Sequence, residues 1–270
     1  MMDQATFDTI AAMKQQEAHY ATTQDIYDDR IVDTQCRTLM VEWCLNVANF
    51  CKYSRSTVDI AINCLDRYLA KREDMLDDKR GFQLVAMACF YTAVKIHESV
   101  AMSPGMIAQL SKGVYSEEEV ESAEADILMT LGWRVNPPTA TCFAMNYLKL
   151  FPPYSDAVKE VIQRQLDVAS KDSFFLGAEV STIAFAAVIN AVEADRSRSD
   201  CKAADMAICE ALGTEEVPPA CCVLKEHFKT AVEFRKLRSR RAVTPPRRPS
   251  KQIRSSEEGL SPRCVTMERS

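Results

Sequence analysis

The stretch from Phe82 to Ile96 is apolar on nearly every helical face, and no charge falls between Gly81 and Lys95. A helix apolar all round is either the buried centre of a bundle or a membrane span. At about 14 residues it is short of the ~20 that a bilayer demands. It therefore reads as a central helix, which needs other helices to cover it. Two stand directly before it. In the first, Met40, Trp43, Val47 and Phe50 recur at helical spacing, with Leu39 and Cys44 widening the stripe. In the second, Val58, Ala61, Leu65 and Tyr68 do the same, with Ser56 as the expected N-cap. A later segment, SEEEVESAEADILMTLGW, opens on a capping box of Ser116 and Glu119 and buries Val120, Ala123, Ile127, Leu128 and Leu131.

Three charges stand out against this packing pattern. Asp66 lies on the semi-apolar line Ile62, Asp66, Leu69. Lys95 ends the central helix. Glu124 sits inside an apolar stripe, with Val120 four residues before it and Leu128 four after, and no basic residue at either position. A carboxylate so placed needs a partner from elsewhere.

The ordered motifs resemble the cyclin family. Cys36-Arg37-Thr38-Leu39-Met40-Val41-Glu42-Trp43 stands for the family's M-R-x-x-L-x-x-W, with cysteine in place of methionine. Leu65-Asp66-Arg67-Tyr68-Leu69 matches L-D-R-[FY]-L, and Leu84 to Lys95 matches L-x-x-x-[AC]-x-x-x-A-x-K. Glu124 takes the place of the fifth helix's acidic residue, followed by Leu131-Gly132-Trp133 and a restart at Pro137-Pro138. His97-Glu98 replaces the usual acidic pair after the lysine. The likeness is strong over roughly 36–150 and weaker over 150–235.

That resemblance implies an all-α fold of two tandem five-helix repeats with an N-terminal helix. It implies a non-catalytic subunit that binds and activates a cyclin-dependent serine/threonine kinase in cell-cycle control and helps select its substrates. Lys95 and Glu124 are then expected to hydrogen-bond the kinase at its regulatory helix. A kinase works only once its β3 Lys–αC Glu pair is assembled, so holding that helix is an allosteric act. Periodicity alone allows a plainer reading, with Lys95 facing its helix's C-terminal dipole and Glu124 one more charge on an acidic helix. The resemblance further makes Arg37 and Asp66 a partly buried structural ion pair. It makes Leu39, Trp43 and Gln83 an exposed groove for Arg-x-Leu peptides of substrates or inhibitors, although Trp43 would serve core packing equally well.

The domains expected are an N-terminal helix and lead-in at 1–35, a first cyclin box at 36–136, a second helical domain at 137–236 and a basic tail at 237–270. Phe7, Ile10, Met13, Ile26 and Ile31 are the apolar positions of the first segment. Thr139 is placed to cap the second domain's first helix. VKEVIQRQLDVASKD follows with Val158, Ile162, Leu166 and Ala169 in register, and GAEVSTIAFAAVINAV repeats the buried central helix. Gly177 stands 96 residues after Gly81, a spacing that suggests duplication, with Ala191 at the offset of Lys95.

Residues 235–254 hold nine Lys/Arg and no acidic residue, leaving 24 basic against 38 acidic residues elsewhere. From about Arg238 the chain is rich in Ser, Pro and Arg and is expected to be disordered. Thr244 and Ser261, each before proline, are phosphoacceptor candidates, and the basic run suits nuclear import, with residence in nucleus and cytoplasm. Seven glycines and no alternating pattern disfavour β folds and glycine-loop nucleotide sites. Eleven scattered cysteines suit reduced thiols. No catalytic triad, P-loop or zinc spacing is present, so no catalytic residue, metal or cofactor is expected, and no membrane partner. The alternative function is a transcription-factor-like module on the same fold, binding DNA or the basal machinery. Its acidic body and lack of a zinc ribbon disfavour it, and with it a nucleic-acid partner.

Overall fold

The computed structural model describes residues 4–23, 25–151, 154–195 and 198–242. Among them are eleven α-helices and no strand. Helix α1 (Gln4–Glu17) leads in. The first repeat comprises α2 (Thr34–Cys51), α3 (Arg55–Leu69), α4 (Lys79–His97), α5 (Pro104–Leu110) and α6 (Glu117–Thr130). The second comprises α7 (Ala140–Lys149), α8 (Asp156–Lys171), α9 (Val180–Asp195), α10 (Arg198–Leu212) and α11 (Pro219–Ala242).

Helix starts follow local capping chemistry. Asp33, Ser103, Ser116 and Thr139 each accept a backbone N–H from the first turn of α2, α5, α6 and α7. The capping box of Ser116 and Glu119 forms in both directions. Ser54, not Ser56, caps α3: its hydroxyl accepts from the Ser56 N–H at 3.2 Å. The extended backbone that a cap requires falls at Ser54, and Ser56 is already helical.

The two uncharged segments become the central helices. Helix α4 is packed by α2, α3, α5 and α6, and α9 by α7, α8, α10 and α11. Around α4 lie Met40, Val58, Leu65 and Ile127, with Trp43 edge-on to Phe90 of α4 at 5.7 Å. Around α9 lie Phe143, Tyr147, Ile162 and Phe228, packed with Phe185 of α9 itself. Ala191 is buried there.

Three expectations need correction. Phe50 is 74% exposed; it lies in the last turn of α2, past the final buried position at Ala48. The glycine spacing does not mark a register: Gly81 is inside the first turn of α4, whereas Gly177 precedes α9 in the left-handed region at φ 77°. The duplication therefore holds for whole helices and not for those two positions. The C-terminal change of character near Arg238 does not end the fold either, because α11 runs on to Ala242 through Arg, Lys and Leu, good helix formers. The expected disorder of the tail otherwise lies outside the described residues.

Helix α1 packs on the second repeat, although the first follows it in sequence. Ile10 is fully buried in the second core. Glu17 is buried and accepts from the Ser181 N–H and hydroxyl, both at 2.8 Å, thereby satisfying a donor in the first turn of α9. Lys14 bridges Glu17 at 2.9 Å and Glu179 at 2.7 Å.

Candidate functional site

Lys95 and Glu124 come from helices that pack against each other. Asp78 caps α4, and the uncharged middle of that helix is held in the core, which leaves Lys95 emerging in the last turn. The acidic first turn of α6 suits its N-terminal dipole, and Glu124 follows two turns inside. The carboxylate lacking a partner in its own helix finds one here: Lys95 Nζ lies 2.7 Å from Glu124 Oε2. The Glu124 side chain is 10% exposed and that of Lys95 45%. Thr92 donates mainly to the Ala88 carbonyl at 2.9 Å and approaches Glu124 Oε1 at 3.4 Å. Lys95 Nζ also sits 5.2 Å from the Tyr91 ring centre. Partial burial would lower the Lys95 ammonium, but Glu124 outweighs it and the pKa stands above its ordinary value. The ammonium is thus charged at neutral pH. An ammonium has three donors, and Glu124 takes one of them.

The end of α4 is anchored on two sides. Glu98 accepts from the Ser54 N–H at 2.8 Å and from the Thr57 hydroxyl, tying α4 to the start of α3. The His97 ring bonds the Val135 backbone in the α6–α7 link, and its Nε2 is buried without a partner. Burial lowers the His97 pKa. Beside Lys95, Ile96 is 47% exposed. At the far end of α6, Met129 and Trp133 are 74% and 72% exposed. Trp133 sits in the left-handed region at φ 61°, next to Gly132 at φ 59°. The stripe reading of α6 did not anticipate these exposed side chains. Their signal was apolar residues falling off the buried face of an amphipathic helix.

Arg37 and Asp66 form the expected ion pair, but it is fully buried and broader than a link between α2 and α3. Arg37 Nε and Nη2 reach the two Asp66 oxygens at 2.9 Å each. The Tyr27 hydroxyl donates to Asp66 Oδ1 at 2.7 Å, and Arg37 Nη1 donates to the Ser170 carbonyl of α8 at 2.7 Å. Burial opposes the Arg37 charge, yet Asp66 holds its pKa above the ordinary value.

The docking-groove residues do not present the open surface expected of them. Trp43 and Gln83 are each 4% exposed, and Leu39 is half-buried. Trp43 is taken up by Phe90 and the Gln83 carbonyl by the Tyr115 hydroxyl at 3.3 Å. Core packing claims the aromatic ring because α2 lies directly on α4. Thr244 and Ser261 lie outside the described residues. Every cysteine whose side chain is described is a free thiol. No cluster among the described residues would hold a metal ion, and no helix among them is long and apolar enough to cross a membrane.

Residues 8–136, spanning α1 to α6, match the family model described as cyclin, N-terminal domain. The chain is 30% identical over 131 residues to G2/mitotic-specific cyclin-2 of Antirrhinum majus, covering 48% of this chain and 29% of that protein. It is 29% identical over 168 residues to G2/mitotic-specific cyclin-2 of Saccharomyces cerevisiae, covering 61% and 33%. It is 28% identical over 114 residues to G1/S-specific cyclin-E of Drosophila melanogaster, covering 42% and 16%. These matches span a third or less of the relatives' lengths. The crystal structure of a viral cyclin from herpesvirus saimiri superposes with a TM-score of 0.67 at 19% identity, over 83% of this chain and 96% of that one. The helix order and these matches agree: the chain has the cyclin fold, and its residues 8–136 match the cyclin N-terminal domain.

Proposed function

We propose that the chain is a regulatory subunit that binds a cyclin-dependent serine/threonine kinase and activates it in cell-cycle control, without catalysing a reaction itself. One observation carries this reading. Lys95 and Glu124 form a preorganised pair of charges at the edge of a rigid core, with a half-exposed ammonium and spare donors beside exposed Ile96. A partner helix laid there meets fixed donors and acceptors that need no reorganisation on binding. Locking a kinase regulatory helix inward is the act that assembles its ion pair with the ATP-binding lysine.

A share in substrate choice through Leu39, Trp43 and Gln83 is not part of this proposal, because an Arg-x-Leu peptide needs apolar surface that two of the three do not offer. The basic run at 235–254 supports partition between nucleus and cytoplasm. The deciding experiment incubates the purified chain with individual cyclin-dependent kinases and measures both complex formation and phosphate transfer. Stimulated phosphate transfer by a co-purifying kinase is the expected result. Failure of every such kinase to bind would overturn the proposal.

A further inference from the structure

Asp59 stands where the two repeats meet. It lies on α3, and its Oδ2 accepts from Thr141 Oγ1 of α7 at 2.7 Å, while its Oδ1 accepts from Ser170 Oγ of α8 at 3.1 Å. Thr141 adds its backbone N–H. One carboxylate thus joins α3 to two helices of the other repeat. It borders a cavity of about 100 Å³ that Asn63, Thr139, Ser170, Leu166 and the Arg37–Asp66 pair also line.

No cation compensates this carboxylate: among the described residues Asp59 forms no ion pair. The charge that faces it from α8 is Asp167, of the same sign, and Asp167 is engaged 3.6 Å away by Arg55, one turn before Asp59 on α3. From α2 comes Arg37, already clasped by Asp66. From α7 come the hydroxyl and N–H of Thr141. Burial disfavours the anion more than these donors favour it, and Asp59 is pushed up to about 6.

We propose that Asp59 is a proton-operated latch between the two repeats, holding α3 against α7 and α8 more firmly when neutral than when charged. The neutral carboxyl keeps the geometry, because one oxygen still accepts from a hydroxyl while the other donates to the second. In the unfolded chain an aspartate titrates near ~3.9. The folded state therefore takes up its proton first as pH falls. Docking of the repeats strengthens from about pH 7 downward and the gain is complete below about pH 4.

The test uses the full chain. A carbon-13 titration of the Asp59 carboxyl is expected to give a midpoint near 6, and Thr141→Val, which removes a donor to the anion, is expected to raise it. In parallel, Asp59→Asn should melt roughly 5 °C above wild type at pH 7.5, with the gap closing by pH 5. A midpoint near 4, or one that Thr141→Val leaves in place, overturns the latch. So does a melting difference that is constant with pH. Should Asp59→Asn fail to fold, the two titrations decide the matter by themselves.

Discussion

Arg37 grips both oxygens of Asp66 at 2.9 Å and, with its remaining arm, the Ser170 carbonyl of the second repeat at 2.7 Å. One guanidinium therefore joins α2, α3 and α8 inside the molecule. Its planar fork suits that task, since bidentate carboxylate recognition uses two donors and leaves others free.

Removing the carboxylate should strand that cation. Asp66→Ala is expected to destabilise the chain by about 3–5 kcal/mol, as other broken buried pairs do. Tyr27 would lose its acceptor as well. Urea unfolding measures the loss, and a change within about 0.5 kcal/mol would show that the pair is not buried in solution.

Lys95 and Glu124 should respond unequally. Lys95→Ala leaves Glu124 buried with only the long Thr92 contact and should cost about 1–3 kcal/mol. The double variant Lys95→Ala, Glu124→Ala removes both charges and should cost less. Kinase affinity should nevertheless fall by about two to four decades in the double variant, for two lost charge-assisted hydrogen bonds of about 1.5–3 kcal/mol each. Calorimetric titration beside melting curves separates the two effects. Wild-type affinity in a folded double variant would refute the kinase contact.

Trp43 should behave as a core residue. Trp43→Ala is expected to cost about 3–5 kcal/mol, because it opens a cavity beside Phe90. Denaturant midpoints check it. A mild loss of stability with abolished Arg-x-Leu peptide binding would restore the groove.

His97 supplies an acid-side instability opposite in sign to that of Asp59. Its folded pKa lies below the ordinary ~6.5, so its stabilising share is present above pH 6.5 and is lost as pH falls. His97→Gln should flatten that loss below about pH 6.5. Urea midpoints at several pH values report it, and an unchanged pH profile would show that the imidazole takes up its proton freely.

Much of the local architecture was legible in the sequence. The uncharged run before Lys95 marked α4, the small-residue run before Asp195 marked α9, and Ser116-x-x-Glu119 marked the start of α6. Each depends on neighbours three or four residues apart, which periodicity and capping rules read directly. The motif likeness also named Arg37, Asp66, Lys95 and Glu124. The reach of those charges was decided by tertiary packing. Glu124 had no partner in its own helix, and the contact of α4 with α6 supplied Lys95. Phe50 and Trp43 share one helical stripe, yet α4 covers the second and nothing among the described residues buries the first. Helix α1 packs on the repeat farther along the chain, and Asp59, an unremarkable polar position in α3, becomes a junction of three helices. A residue's helical face follows from its near neighbours, but what covers that face depends on how helices distant in sequence cross and on the links between them.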